Sequence, residues 1–215
     1  GDRLGFPVFP IDWYNPSNPG ELIAGGYKER GFEASAILNF LALRGWNPGN
    51  NQEIFSLEDL IKNFSLERVN KSGAKFDYQK ACWFNSEYLK AYSDKEKQET
   101  ILQIFPNAKN REAQDLELVF NLASERIQFK HEIKETVAYL FEKPQPLEGK
   151  GVKKAWKEEK VAHLEQCIQT IQEANTDFNP SALETIIKQY IEEKSISFGQ
   201  ILPPLRLSLT GTLQG

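Results

Sequence analysis

Helix start signals recur along the chain from residue 56 onward and limit what the chain can fold into. Ser56 and Ser93 are each followed three residues later by an acidic side chain, which is the spacing of a capping box. Asp77 is expected to cap another helix, and Asn179 is followed by proline at the first helical position. Since the strand pattern is poor after residue 76, the sequence predicts a mainly α fold.

Apolar spacing and turn residues set the expected bounds of further helices. From Glu33 onward, apolar residues fall on one helical face. Pro203 and Pro204 are expected to stop a short helix at 198–202, because proline lacks the amide N–H that a helix needs. The segment 207–215 is then predicted to be extended or turning. Further helices are predicted over 94–104, 110–124, 131–142, 152–174 and 180–194.

The distribution of proline and glycine divides the chain into two parts. Residues 1–27 are rich in both, which disfavours helices and central strands and predicts a loop with at most one short hairpin. We therefore predict a small α+β part over residues 1–92, followed by an all-helical part over residues 93–215.

Charge and composition exclude several classes of protein. The net charge is −4 at pH 7, so the chain is not an indiscriminate, strongly basic nucleic-acid binder, and any RNA contact must use local basic groups. No apolar run approaches the roughly 18 residues of a membrane span, and no secretory signal is recognisable. Two widely separated cysteines suit a reducing compartment, which predicts a cytoplasmic protein. A chain that starts at Gly1 and has no methionine is typical of a fragment.

Side chains able to carry catalysis are few and scattered. His131 and His163 have no cysteine pair beside them, so there is no zinc pattern, and no glycine-rich phosphate loop follows a strand. Cys82 and Cys167 are interpreted as small buried groups, although spacing alone leaves open a Cys/His pair that meets in space. We expect no complete catalytic centre, no metal site and no cofactor site in these residues.

Four groups of residues follow one another in a fixed order and carry a resemblance to a known family. They are Tyr27-Lys28-Glu29-Arg30-Gly31-Phe32 with Asn39-Phe40-Leu41-Ala42-Leu43-Arg44-Gly45-Trp46-Asn47-Pro48-Gly49; Glu53-Ile54-Phe55-Ser56-Leu57 with Phe64-Ser65-Leu66-Glu67-Arg68-Val69; Phe76-Asp77 with Lys80, Trp83, Asn85 and Tyr88; and Pro204-Leu205-Arg206-Leu207-Ser208-Leu209-Thr210-Gly211. Together they resemble the region of bacterial-type glutamyl-tRNA synthetase that follows its catalytic domain. The coverage is thin between residues 94 and 195, and segment 6–26 is interpreted as an insertion.

The resemblance implies a tRNA-binding region in two parts. Residues 1–92 would form a stem-contact fold, and residues 93–215 would form a helical cage for the anticodon that is truncated at its C-terminus. The family's complete enzyme ligates glutamate to tRNA using ATP with Mg, whereas this chain alone is expected to be inactive and to hold no cofactor. The implied partner is tRNA for glutamate, with tRNA for glutamine left open. A monomer with no DNA or membrane partner is expected.

The resemblance also assigns roles to residues of the anticodon cage. Arg206 would stack on an anticodon base or hydrogen-bond to its edge, since a guanidinium does both; the alternative is an ordinary surface arginine. Leu213 would lie beside it as an apolar contact. Arg126 aligns with a family arginine that senses an anticodon nucleotide. Its alternative is a helix-end arginine paired with a nearby glutamate, Glu125 or Glu132. Lys188 aligns with a basic residue of the cage, although a lone helical lysine is usually only solvated.

In the predicted stem-contact part, Lys80 and Trp83 are three residues apart and share one helical face. The lysine would offer a point charge to phosphate and the indole a flat face to a ribose or base, although Trp83 suits the core equally well. Lys71 and Lys75 flank a glycine-containing loop and would assist with phosphate.

Two other functions are kept beside tRNA binding. A helical protein-interaction module without RNA binding would show a large exposed apolar patch and no basic concavity. An independent hydrolase would need a cysteine and a histidine to meet in a pocket.

Overall fold

The computed structural model describes residues 6–7, 9–70, 76–144, 149–174 and 178–213. Two short strands precede a series of helices, so the predicted mainly α fold is confirmed. Compact packing divides the chain into a first unit, Gly1–Val137, and a second unit, Ala138–Gly215. The strands and α-helices are β1 Trp13–Asn15, β2 Asn18–Ala24, α1 Ala34–Gly45, α2 Leu57–Asn63, α3 Tyr78–Lys90, α4 Asp94–Ile104, α5 Ala113–Ser124, α6 Ile133–Val137, α7 Lys150–Ala155, α8 Glu158–Glu173, α9 Pro180–Glu193 and α10 Phe198–Thr210.

The predicted hairpin is present and lies within the segment interpreted as an insertion. Strands β1 and β2 are antiparallel, with Tyr14 opposite Leu22. The base of the hairpin is closed at Gly26, whose backbone N–H donates to Asp12 Oδ1 at 2.7 Å. A Cβ atom at this glycine would lie 2.2 Å from the carbonyl carbon of Ile11, so no other residue fits without a backbone shift.

The core of the first unit forms where α1 packs against α3. Two fully buried asparagines connect these helices to the loops around them. Asn39 Oδ1 accepts from the backbone N–H of Phe55 at 2.8 Å and from the Tyr88 hydroxyl at 2.9 Å. Because a buried amide is costly unless it is hydrogen-bonded, these contacts specify where the loops lie. The core residues are Tyr27, Phe32, Ala36, Phe40, Ala81, Cys82, Phe84 and Phe129.

Local capping signals predict helix starts correctly. The Ser93 hydroxyl accepts from the backbone N–H of Glu96 at 3.4 Å, and the Glu96 carboxylate accepts from the backbone N–H of Ser93 at 2.8 Å. Asn179 Oδ1 likewise accepts from the backbone N–H of Ala182 at 2.9 Å. Helix α4 therefore has the bounds predicted for 94–104.

Three other predicted helices are shorter or divided. Helix α5 begins only at residue 113, after a separate 3₁₀ turn, Pro106–Asn110. The predicted helix 131–142 is α6 flanked by two 3₁₀ turns, Lys130–Glu132 and Ala138–Leu140. The predicted helix 152–174 is interrupted at Trp156, where the backbone leaves the helical conformation and separates α7 from α8.

The prediction that Pro203 and Pro204 end a short helix is wrong, because α10 continues through both. A helical residue at position 203 would donate its N–H to the carbonyl of Gly199, and proline has no N–H to donate. Lys160 Nζ from α8 donates to that carbonyl instead, at 2.7 Å. The helix is also held by Ile201, which is fully buried, and such burial contributes about 1.5–3 kcal/mol.

The end of α10 corrects the first part of the expectation that 207–215 is extended or turning. Residues 207–210 are helical, and the helix ends at Gly211, whose left-handed backbone has a φ of 70°. Its N–H donates to the carbonyl of Leu207 at 3.0 Å. The core of the second unit is formed by Leu164, Cys167, Tyr190, Ile191 and Ile201.

Among the helices of the described residues, none is both long enough and apolar enough to cross a membrane.

Candidate nucleic-acid interface

The structure brings two predicted anticodon contacts, Arg206 and Leu213, together at the end of α10. Arg206 is exposed near the C-terminus of the helix. The turn at Gly211 folds the chain back, so that Arg206 Nη1 donates to the Leu213 carbonyl at 3.4 Å. A guanidinium has five N–H donors, and within the described part of the chain this long hydrogen bond engages one of them. The side chain of Leu213 is half-buried and lies 3.1 Å from the position of a Cβ atom at Gly151.

Lys188 is exposed on α9 and forms an ion pair one helical turn away. Its Nζ lies 2.5 Å from Glu184 Oε1. The hydrogen bond and the positive charge of the lysine lower the pKa of the Glu184 carboxyl. An exposed pair of this kind is weak and is readily exchanged for another anion, so the assignment of Lys188 to RNA binding stays a prediction.

Arg126 lies in the first unit, just past the end of α5, and its side chain is exposed. Its backbone N–H donates to the carbonyl of Ala123 at 2.9 Å, which fixes the turn. The alternative of an ion pair with Glu125 or Glu132 is not formed within the described ranges. The Glu132 carboxylate instead accepts from two backbone N–H groups, at 2.7 and 2.8 Å. The guanidinium is therefore available to a ligand.

The structure also brings Lys80 and Trp83 together, on the outer face of α3. Lys80 Nζ lies 4.0 Å from the centre of the Trp83 ring, a cation–π contact. The same ammonium is 2.7 Å from Glu53 Oε1, so part of its charge is already compensated. Trp83 is half-buried and contacts the Phe84 ring edge-on at 5.0 Å. Lys71 and Lys75 lie outside the described residues.

Two surfaces of the first unit were not expected from the sequence. One is a cleft of about 390 Å³ beside Lys80, bordered by an amide-rich loop, Asn47 to Gln52. The run of amides after Trp46 was the available sequence signal. The other is a concavity bordered by Lys28, Lys130 and Lys134. No local pattern marks it, because its residues are far apart in the chain.

The two thiols are unsuited to catalysis. Cys82 and Cys167 are both buried, as interpreted from the sequence, and burial raises the pKa of each thiol. A raised pKa reduces the fraction of the reactive thiolate, which argues against the hydrolase alternative. His131 is exposed, and His163 is half-buried.

Comparison with known proteins gives a consistent result. A glutamate–tRNA ligase from Bacteroides fragilis is 39% identical over 216 residues, and one from Flavobacterium johnsoniae is 38% identical; each alignment covers 100% of this chain and 42% of the relative. A crystal structure of a glutamate tRNA ligase from Elizabethkingia meningosepticum in complex with its amino acid has a TM-score of 0.81 and 31% identity, and covers 99% of this chain and 42% of that one. This chain thus spans 42% of the length of the curated relatives it matches.

Family models agree with these relatives and confirm the resemblance predicted from the sequence. The catalytic-domain model of class I tRNA synthetases (E and Q) matches residues 21–83, and the anticodon binding domain model matches residues 83–215. The alternative of a protein-interaction module is not favoured by these matches. The predicted boundary near residue 92 stays a prediction. Since the second model alone covers more than half of the chain, this chain belongs to the anticodon-binding domain family.

Proposed function

We propose that this chain binds tRNA and recognises the anticodon as part of a glutamate–tRNA ligase, whose complete form joins glutamate to tRNA using ATP. The observation that carries the proposal is the similarity of the whole chain to glutamate–tRNA ligases. The proposed partner is tRNA for glutamate, bound by a monomer in the cytoplasm. tRNA for glutamine is the second candidate partner, and the binding assay measures both tRNAs.

The ATP and Mg of the ligation reaction are assigned to the rest of the ligase. Mg²⁺ binds carboxylate oxygens together with the phosphates of ATP. The described ranges contain no group of three or more His, Cys, Asp or Glu side chains that could hold a metal ion. The role proposed for the residues of this chain is to bind and orient tRNA.

Arg206 is the residue on which anticodon recognition depends in this proposal. Its guanidinium is exposed, and among the described residues its hydrogen bond is the long one to the Leu213 carbonyl, at 3.4 Å, so little is lost when a base replaces that contact. A bidentate hydrogen-bonded pair between a side chain and a base edge is worth about 1–3 kcal/mol of discrimination. Arg126, which lies in the first unit, provides a second exposed guanidinium for RNA. Lys80 binds a stem phosphate after exchanging the Glu53 carboxylate for it.

The test is the affinity of purified tRNA for wild-type chain and for Arg206→Ala. The expected result is a loss of about tenfold, equivalent to about 1.4 kcal/mol. Arg111→Ala is the matched control, because Arg111 is also exposed and its removal changes the charge equally. A tRNA with altered anticodon bases should remove the difference between wild type and Arg206→Ala. Equal affinities for all three proteins, or no binding of tRNA to wild type, would contradict the proposal.

A further inference from the structure

The concavity of the first unit, here called the Lys28 concavity, has a volume of about 660 Å³. It lies between the segment that follows the hairpin and the turn that leads into α6. The volume falls within the range of small-molecule sites and is sufficient for a nucleotide unit. Its lining residues are Lys28, Glu29, Gly31, Phe32, Glu33, Gln103, Ile104, Lys130, His131 and Lys134.

One wall of the concavity is fixed by close packing. Gly31 has a φ of +87°, and a Cβ atom there would lie 3.0 Å from His131 Nδ1. The imidazole stacks on the Phe129 ring with 5.4 Å between centres and 14° between planes. Phe129 in turn meets Phe32 edge-on at 4.9 Å. The imidazole edge, which hydrogen-bonds readily, is thus held at the rim by glycine on one side and by buried rings on the other.

The two carboxylates of the concavity are both engaged in contacts within the protein. Glu29 Oε2 accepts from the backbone N–H of Asp12 at 2.9 Å and so helps to close the hairpin. Glu33 Oε1 lies 3.3 Å from Lys130 Nζ. That ammonium also lies 5.0 Å from the centre of the Tyr92 ring. The charge of Lys130 is therefore already engaged by contacts within the protein.

Lys28 and Lys134 differ from Lys130 in this respect. Both are exposed at the rim of the concavity, and neither forms an ion pair with another residue in the part of the chain that the structure describes. With three lysines against two carboxylates, the concavity is locally positive in a chain whose net charge is −4. Local positive charge on an acidic protein favours a phosphate-bearing ligand.

We propose that the Lys28 concavity binds the sugar–phosphate backbone of RNA, with Lys28 and Lys134 contacting phosphate and His131 lying at the ribose. This inference rests on the proposed function and adds a contact to the predicted set. Lysine binds phosphate as a point charge, and a ribose 2′-hydroxyl both donates and accepts hydrogen bonds. The contact is independent of base sequence, because only the backbone is touched.

The experiment measures tRNA affinity at several salt concentrations for wild type and for the double variant Lys28→Ala/Lys134→Ala. Each phosphate contact that is lost reduces the slope of log affinity against log salt by about 0.7–0.9, so the expected reduction is about 1.4–1.8. Lys62→Ala/Lys95→Ala is the matched control. These lysines are exposed on α2 and α4 of the same unit, and their removal changes the net charge equally. The control should leave the slope unchanged.

The outcomes separate this inference from the proposed function. If wild type binds tRNA and both double variants change the slope equally, the concavity makes no phosphate contact and the inference is wrong while the function stands. If wild type binds no tRNA, both are wrong.

A further experiment binds AMP or inorganic phosphate to the protein first and then adds tRNA as the competitor. Displacement of either small ligand by tRNA supports an RNA backbone site, whereas binding of AMP that tRNA leaves unchanged would assign the concavity to a free nucleotide and overturn the inference.

Discussion

Replacing Asn85 by alanine is expected to destabilise the first unit strongly. The side chain is fully buried; its Oδ1 accepts from the backbone N–H of Glu33 at 2.7 Å, and its Nδ2 donates to the carbonyl of Gln128 at 2.6 Å. The Glu33 N–H left without a partner costs about 1–3 kcal/mol, and the loss of the part-buried hydrogen bond to the Gln128 carbonyl adds up to about 1 kcal/mol. With about 1 kcal/mol for the cavity, the free energy of unfolding should fall by about 2–5 kcal/mol.

The assay is urea unfolding followed by tryptophan fluorescence in a Trp156→Phe background. The three remaining tryptophans of the four in the chain all lie in the first unit, so the signal reports that unit alone. Asn63→Ala is the control. Asn63 is exposed and donates to the carbonyl of Asp59 at 2.8 Å, so its loss should cost less than about 0.5 kcal/mol. A loss for Asn85→Ala below about 1 kcal/mol would refute the reasoning.

Two further predictions concern the hairpin base and the start of α4. Gly26→Ala should lower the free energy of unfolding by about 1–3 kcal/mol, since the new Cβ meets the Ile11 backbone at 2.2 Å. Gly20→Ala is the control: its Cβ would have no atom within 4 Å, so it should be neutral in the same urea titration. Hydrogen bonds from the Ser93 hydroxyl and N–H lower the pKa of Glu96. A lowered folded-state pKa stabilises the fold above the unfolded-state pKa, and this stabilisation is lost as the pH falls through the folded-state pKa. The difference in melting temperature between wild type and Glu96→Gln should therefore be largest near neutral pH and shrink below about pH 4; a difference that is constant with pH would contradict this.

The features that sequence predicted well are those decided by neighbouring residues. Helix α4 is an example, because its start depends only on the reciprocal hydrogen bonds of Ser93 and Glu96. The end of α10 was missed because it depends on residues distant in sequence: Lys160 supplies the hydrogen bond that Pro203 cannot. A rule that considers only the residues next to a proline cannot predict such a distant partner.

The residues of the candidate interface show the same difference between neighbouring positions, which sequence could predict, and distant ones, which it could not. Arg206 was predicted from the contiguous string Pro204 to Gly211 and Leu213 as a neighbour just beyond it, and the turn at Gly211 brings the two residues together; their contact with RNA stays a prediction. The Lys28 concavity was missed because Lys28 and Lys134 become neighbours only when α6 packs near the segment after the hairpin. Single lysines in a sequence give no sign of such convergence.

The contact between Lys160 and the Gly199 carbonyl has a consequence for how this part of the chain can vary among relatives. A relative with an ordinary residue in place of Pro203 satisfies that carbonyl with its own backbone and has no need of a lysine on α8. A relative that keeps the proline loses a hydrogen bond if the lysine is replaced. Positions 160 and 203 should therefore covary, with proline at 203 accompanied by a long donor side chain at 160, although they lie on different helices.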